Sequence, residues 1–238
     1  MSLHFLLNSC KSHSHELGGY MSWSGDGSGG RRGYHHGNLR EALIRAALDL
    51  IGQKGPAGFT FADAARMAGV SSAAPYRHFR DRDALIADVA RRGFEQFEAA
   101  LNRAWNDGRP EPMAAFENIG RAFLDFARKE PAYYAAMFEA GIALDSDPEL
   151  RKAADAAFAV LRKATETLCA LLPREQRPPA LMMSLHVWSL SHGIASLFAR
   201  ADSGRQRLPM SPEELLEAGM LVYLRGLGLA GGPPGTAR

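Results

Sequence analysis

From Leu39 to Leu229 the apolar residues return at three- and four-residue intervals, and no stretch alternates apolar with polar side chains as a half-buried strand requires. A chain with this periodicity buries its apolar surface by packing helix against helix, so the predicted fold class is all-α. Punctuation divides the pattern. Leu39, Leu43, Ala47, Leu50 and Ile51 share one helical face, which stops at GQKGPAG, where Gly52, Gly55, Pro56 and Gly58 intervene. Thr60, with Asp63 as a capping-box partner, opens a short second helix that closes at Gly69. Ser71 or Ser72 is placed to cap a third helix carrying Tyr76 and Phe79. Asp81 starts a fourth, running through Leu85, Ile86, Val89, Phe94, Phe97 and Leu101 towards Trp105. Further helices are predicted over 112–129, 131–141, 148–172, 176–201 and 212–229, several with a capping side chain, then Pro at the first helical position, then acidic residues at the positive end of the helix dipole.

With 238 residues, 46% of them hydrophobic, the chain has the means to build a core. No run approaches the roughly 18 apolar residues of a membrane helix, and MSLHFLLNSC has no basic residue ahead of its short apolar run. Neither a membrane partner nor export is expected. Two cysteines, Cys10 and Cys169, do not make a disulfide framework, so the expected compartment is the cytoplasm. Charge is uneven: Arg31 to Arg92 holds 11 Lys/Arg against 6 Asp/Glu, while residues 93–238 hold 16 against 18. A basic module facing a polyanion, joined to a neutral module, fits that split; a solvated basic face is the alternative.

Four regions are predicted: a Gly/Ser-rich disordered tail over 1–33, a DNA-binding unit over 34–83, a larger helical unit over 84–230 and a flexible tail over 231–238. Within the second, TFADAARMAGVSSAAPYRHF over 60–79 reads as helix, tight turn, helix. Ala65 and Gly69 are small and allow a close crossing, with Val70 plugging the corner. Such a unit carries its second helix into the major groove. Small Ser72, Ala73 and Ala74 let the backbone approach a base edge, Tyr76 and His78 donate to phosphates, and Phe79 belongs to the core. The competing reading is an ordinary helical hairpin, in which Tyr76, Arg77 and His78 would need buried partners.

The stretch from Asn38 to Val89 resembles the DNA-binding domain of the TetR family of tetracycline-repressor-like bacterial regulators, through Thr60, Ala68-Gly69-Val70-Ser71, Tyr76-Arg77-His78-Phe79 and Arg82. Trp188, His192 and Gly193 are similar to a Trp-x-x-x-His-Gly signature of one subgroup's C-terminal domain. The resemblance implies phosphate contacts from Thr60, Tyr76, His78 and Arg82 and base-facing positions from Ser72 to Pro75; Ser71 and Arg77 complete the candidate DNA-binding set. It also implies a homodimer on double-stranded DNA, an effector-responsive repressor and a small-molecule effector. The chain departs from the pattern at Ala64, where many relatives carry Ile, and at Ser72, where many carry Lys or Arg; the second shifts weight to backbone contacts and DNA shape. Arg31 and Arg32 are placed to reach a neighbouring groove as a basic arm, with plain solvation as the alternative.

Tyr133, Tyr134, Met137 and Phe138, with Trp188 and His192 one turn apart on another helix, form the candidate ligand pocket; a packed core with a hydrogen-bonded histidine is the competing reading. Gly193 in mid-helix calls for a close helix approach. Leu215, Leu216, Met220, Tyr223 and Leu227 form an apolar stripe expected at a dimer interface made by the last two long helices, unless it closes the protomer's own core. GDGSGG, Gly25 to Gly30, matches a dinucleotide fingerprint by letter only, since no strand precedes it. His13 and His15 lie near no carboxylate cluster, and His186 and His192 point away from each other. No nucleophile with its base and no metal-ligand set occurs, so no enzyme, cofactor or metal is expected. The rival function is a helical protein-interaction module without DNA binding.

Overall fold

The computed structural model describes residues 39–200 and 208–229. The two tails, with Cys10, His13, His15, GDGSGG and the Arg31-Arg32 pair, lie outside the described residues. Eight α-helices follow in order: α1 (Leu39–Lys54), α2 (Phe61–Met67), α3 (Arg82–Trp105), α4 (Pro112–Lys129), α5 (Pro131–Phe138), α6 (Pro148–Ala170), α7 (Ala180–Arg200) and α8 (Pro212–Gly226). No strand occurs among the described residues.

The helix starts follow the predicted caps. Thr60 and Ser211 each close a reciprocal capping box, with Asp63 and Glu214. Asp81 accepts from the Ala84 N–H at 2.8 Å, and Asp147 from the N–H groups of Glu149 and Leu150. Several helices are shorter than periodicity implies. α7 begins at Ala180 rather than 176, because Pro178 and Pro179 lack the N–H a helix needs and hold the residues before them extended. α5 stops at Phe138, ahead of Gly141 at φ +68°.

α3 is the axis of the molecule. Its first half packs on α1 and its second half on α4, α5 and α6, and one continuous apolar core runs from Leu43 and Ile44 through Phe94, Phe97 and Phe116 to Trp188 and Leu224. Rings interlock in the middle: Phe97 meets Phe123, Phe126 and Trp188 at centroid distances of 5.0, 5.0 and 5.9 Å.

One charge interrupts the apolar face of α3. Asp88 is 5% exposed, between Leu85 and Val89, and is met by the guanidinium groups of Arg40 at 2.9 Å, Arg91 at 2.9 Å and Arg92 at 3.3 Å. Arg92 also holds both carboxylate oxygens of Glu41 on α1. That bidentate hydrogen bond keeps the Glu41 carboxyl below its ordinary range and raises the Arg92 guanidinium. α1 is thus fastened to α3 by polar contacts as well as by packing.

Removing Asp88 leaves three guanidinium groups facing one another without the buried carboxylate that joins them. Asp88→Ala is expected to lower unfolding stability by about 3 kcal/mol or more, read from the urea midpoint; an unchanged midpoint would contradict the assigned role.

Candidate nucleic-acid interface

The corner between α2 and the segment that follows is built by backbone chemistry. Gly69 takes φ +73°, a region open to glycine at little cost. Its N–H donates to Arg66 O at 3.1 Å and the next, from Val70, to Ala65 O at 3.0 Å, the pairing of a Schellman cap. Gly69 therefore serves the turn itself; its side is exposed rather than pressed into a helix crossing. Val70 is half-buried and Ala65 buried.

The expected third α-helix is a single 3-10 turn, Ala74–Arg77, preceded by Ala73 with no side-chain cap from Ser71 or Ser72. The cause is Pro75. In an α-helix Ser71 O would accept from the N–H of residue 75, which proline lacks; it accepts instead from Ala74 N at 3.0 Å. Phe79 N then donates to Pro75 O at 3.0 Å, and Asp81 begins α3, leaving room for no second turn.

Pro75 and Phe79 are buried, the two anchors of this turn. Burial corrects the base-facing expectation for Pro75, whose ring points into the protein. Ser71, Ser72, Ala73, Tyr76, Arg77 and His78 are exposed, and Ala74 is half-buried. Tyr76 is 62% exposed yet not loose, since its ring stands edge-on to Phe61 at 5.0 Å. Tyr76, Arg77 and His78 therefore form a continuous polar rim ahead of a fixed apolar base.

Thr60 sits at the exposed start of α2, its hydroxyl donating to Asp63 Oδ2 at 2.7 Å; that bond and the Thr60 N–H hold the Asp63 carboxyl below its usual value. Arg82 departs from its expected place. Its Nε donates to Phe59 O at 2.9 Å, a second nitrogen donates to Pro56 O, and the guanidinium lies 4.9 Å from the Phe59 ring centroid. These internal donations staple the α1–α2 loop to the start of α3, so Arg82 is a positioning residue rather than a free phosphate ligand. The carbonyls that hold it carry no sequence signal.

The other predicted cluster also assembles, in a different sense. Tyr134, Met137 and Trp188 are buried, Tyr133 and Phe138 partly so. Tyr134 lies 4.8 Å from Phe138, and Phe138 lies 5.0 Å from His192 and 6.1 Å from Trp188. The rings pack against one another. The Tyr134 hydroxyl and His192 Nδ1 are 2.7 Å apart. Burial raises the Tyr134 pKa and lowers that of His192, and the two groups share this hydrogen bond. His186 points elsewhere, to the Tyr223 hydroxyl at 3.1 Å.

A groove of about 240 Å³ lies between α4, α7 and α8, with Met113, Phe116, Val187, Ser191, Leu216 and Met220 among its walls. The stripe expected at a dimer interface closes this part of the protomer: Leu216 is 3% exposed, and Leu215, Met220, Tyr223 and Leu227 pack against the core. What α8 leaves open is Val222, 74% exposed, with Leu221 at 43%. Gly193, predicted to allow a close approach, is exposed with no atom within 4 Å of a Cβ built on it. Among the described residues no helix is long and apolar enough to cross a membrane, and no group of three or more His, Cys, Asp or Glu is placed to hold a metal.

The sequence model of the tetR family of bacterial regulatory proteins matches residues 43–89, and that of the tetracyclin repressor-like C-terminal domain matches 116–223. No curated protein matches. A Rhodococcus sp. RHA1 protein of unknown function is similar in structure at 29% identity and TM-score 0.68, over 82% of this chain and 98% of that one. The TetR family transcriptional regulator PfmR from Thermus thermophilus shares the fold at 21% identity and TM-score 0.54, over 77% and 97%. A tetR family regulatory protein from Rhodococcus RHA1 does so at 17% and 0.60, over 82% and 99%.

The buried imidazole sets a pH dependence. An unfolded histidine titrates near pH 6.5, whereas folded His192 holds its proton less tightly. The unfolded chain therefore takes up the proton first, and stability contributed by neutral His192 is present above about pH 6.5 and lost on acidification below it. Melting temperature is expected to fall more steeply between pH 7 and pH 5 in the wild type than in His192→Gln; parallel curves would contradict this.

Proposed function

The chain belongs to the TetR family and is a DNA-binding transcriptional regulator, and from that premise we propose that it is an effector-responsive repressor acting as a homodimer on a palindromic operator. The observation that carries this reading is the exposed Tyr76-Arg77-His78 rim on a turn anchored by buried Pro75 and Phe79. A rim fixed from behind meets a phosphate backbone with little conformational entropy left to lose. Tyr76 and His78 are proposed to bind phosphate, with Thr60 at the α2 N-terminus beside them. Ser72, Ala73 and Ala74, short enough to bring the backbone close, face base edges, and Arg77 is the long donor on the turn.

Two protomers place two rims about one duplex turn apart, roughly 34 to 36 Å. The proposed dimer contact joins the faces of α7 and α8 that the protomer leaves open, where Leu197 and Val222 are exposed and Gly193 and Gly226 have no neighbour. Large apolar side chains beside glycines fit a close helix-to-helix contact. An effector that favours one separation of the rims then shifts the population able to bind DNA. Repression needs no further surface, because a dimer seated across a promoter excludes polymerase. The signature residues Trp188, His192 and Gly193 support placement in the Trp-His-Gly subgroup, where the first two form core.

Three measurements test this reading. Selection from random DNA is expected to yield an inverted repeat, and binding to it should fall with salt at a log–log slope on the order of −6, as for 6 to 10 phosphate contacts. Tyr76→Ala and His78→Ala are each expected to weaken binding about tenfold or more while circular dichroism stays helical, because both side chains are exposed and neither is needed to form a helix. Val222→Asp is expected to yield a monomer in sedimentation; a dimer that persists would reject the proposed contact.

A further inference from the structure

We propose that the groove between α4, α7 and α8 is the effector site and that its ligand is a small amphipathic organic cation; this rests on the effector-responsive reading above. The groove floor is apolar, built by Met113, Phe116, Val187, Leu216, Met220 and Leu224, and offers about 240 Å³. The mouth is polar and unbalanced. Glu117, Glu213 and Glu217 stand around it against a single cation, Arg121. Arg121 bridges α4 to α8 through Glu217 Oε1 at 2.9 Å and reaches Glu117 at 3.9 Å. One guanidinium offsets one carboxylate, so the mouth retains two negative charges, and Glu213 has no salt-bridge partner among the described residues. An anion entering over that rim meets repulsion, and a neutral ligand leaves the surplus charge unanswered. A cation with an apolar body satisfies floor and mouth together.

Ser191 gives a second, independent sign of a ligand. It is 2% exposed, lies on the groove wall, and its hydroxyl has no hydrogen-bond partner among the described residues. A hydroxyl that opens only onto the groove is available to bond a polar group of whatever occupies it. Gly120 lets α8 come close to α4, since a Cβ there would stand 2.9 Å from Leu216 Cδ2. α8 supplies one groove wall and also carries exposed Val222, in the proposed dimer contact. A ligand wedged between α4 and α8 therefore displaces the helix that sets the separation of the two rims.

The test is calorimetric titration of the full chain, without DNA, with three probes of equal alkyl length: octyltrimethylammonium, 1-octanol and octanoate. The expected order places the ammonium at least about tenfold tighter than octanoate, and the Glu117→Gln/Glu213→Gln variant, altered only at the rim, is expected to lose that preference. At saturating ammonium, affinity for the selected operator is expected to change about tenfold, within the usual range of allosteric coupling. Octanoate binding as well as or better than the cation, no heat with any probe, a preference that survives in the variant, or unchanged operator affinity each overturns the proposal. Failure to select any DNA overturns the repressor reading instead, and the DNA-free titrations then still decide the groove's charge preference.

Discussion

The buried carboxylate of Asp88 decides how the two ends of this protein sit relative to each other. A lone charge between Leu85 and Val89 would be costly, and its neutralisation by Arg40, Arg91 and Arg92 imposes a geometry that apolar packing alone does not. Apolar contacts tolerate sliding; a guanidinium in bidentate contact with Glu41 does not. Because α3 continues without a break from this junction into the C-terminal core, α1 and the turn it supports move with α3.

That rigidity gives the recognition turn its value. A segment of four residues in 3-10 geometry has little stability of its own. It is held by what surrounds it: Pro75 and Phe79 buried beneath, Phe61 against Tyr76, Arg40 lying 5.2 Å from the Phe79 ring centroid, and Arg82 tying the α1–α2 loop to the base of α3. Arg40 serves both structures, since the same guanidinium reaches Asp88. The anchor of the outward-facing rim and the Asp88 junction share one side chain.

In the C-terminal half, an aromatic cluster and an apolar groove lie on different helix pairs. Tyr134, Phe138, Trp188 and His192 consolidate α5 against α7, whereas the open space lies one helix away, beside α8. A tightly packed ring cluster transmits displacement because it cannot absorb it. α5 also packs on α1, which joins the ring cluster to the N-terminal helices.

The all-helical class, the helix starts at Thr60, Asp81, Pro148 and Pro212, and the exposed rim at Tyr76 to His78 were legible in the residues alone. Each of these follows from chemistry within a few positions: a capping side chain, a proline, a period, or a charged cluster with no local way to be buried. The family motif was local for the same reason. The shortening of the third helix to one 3-10 turn was local too, since Pro75 lacks the N–H an α-helix needs; packing in three dimensions faced Pro75 inward, set Arg82 to hold a loop, stacked the aromatic rings on one another and opened the groove beside α8. Those outcomes turn on contacts across 23 residues for Arg82 with Phe59, 48 for Arg40 with Asp88 and 96 for Arg121 with Glu217. Which side chain fills a space shared by segments so far apart is fixed when the helices pack and not before.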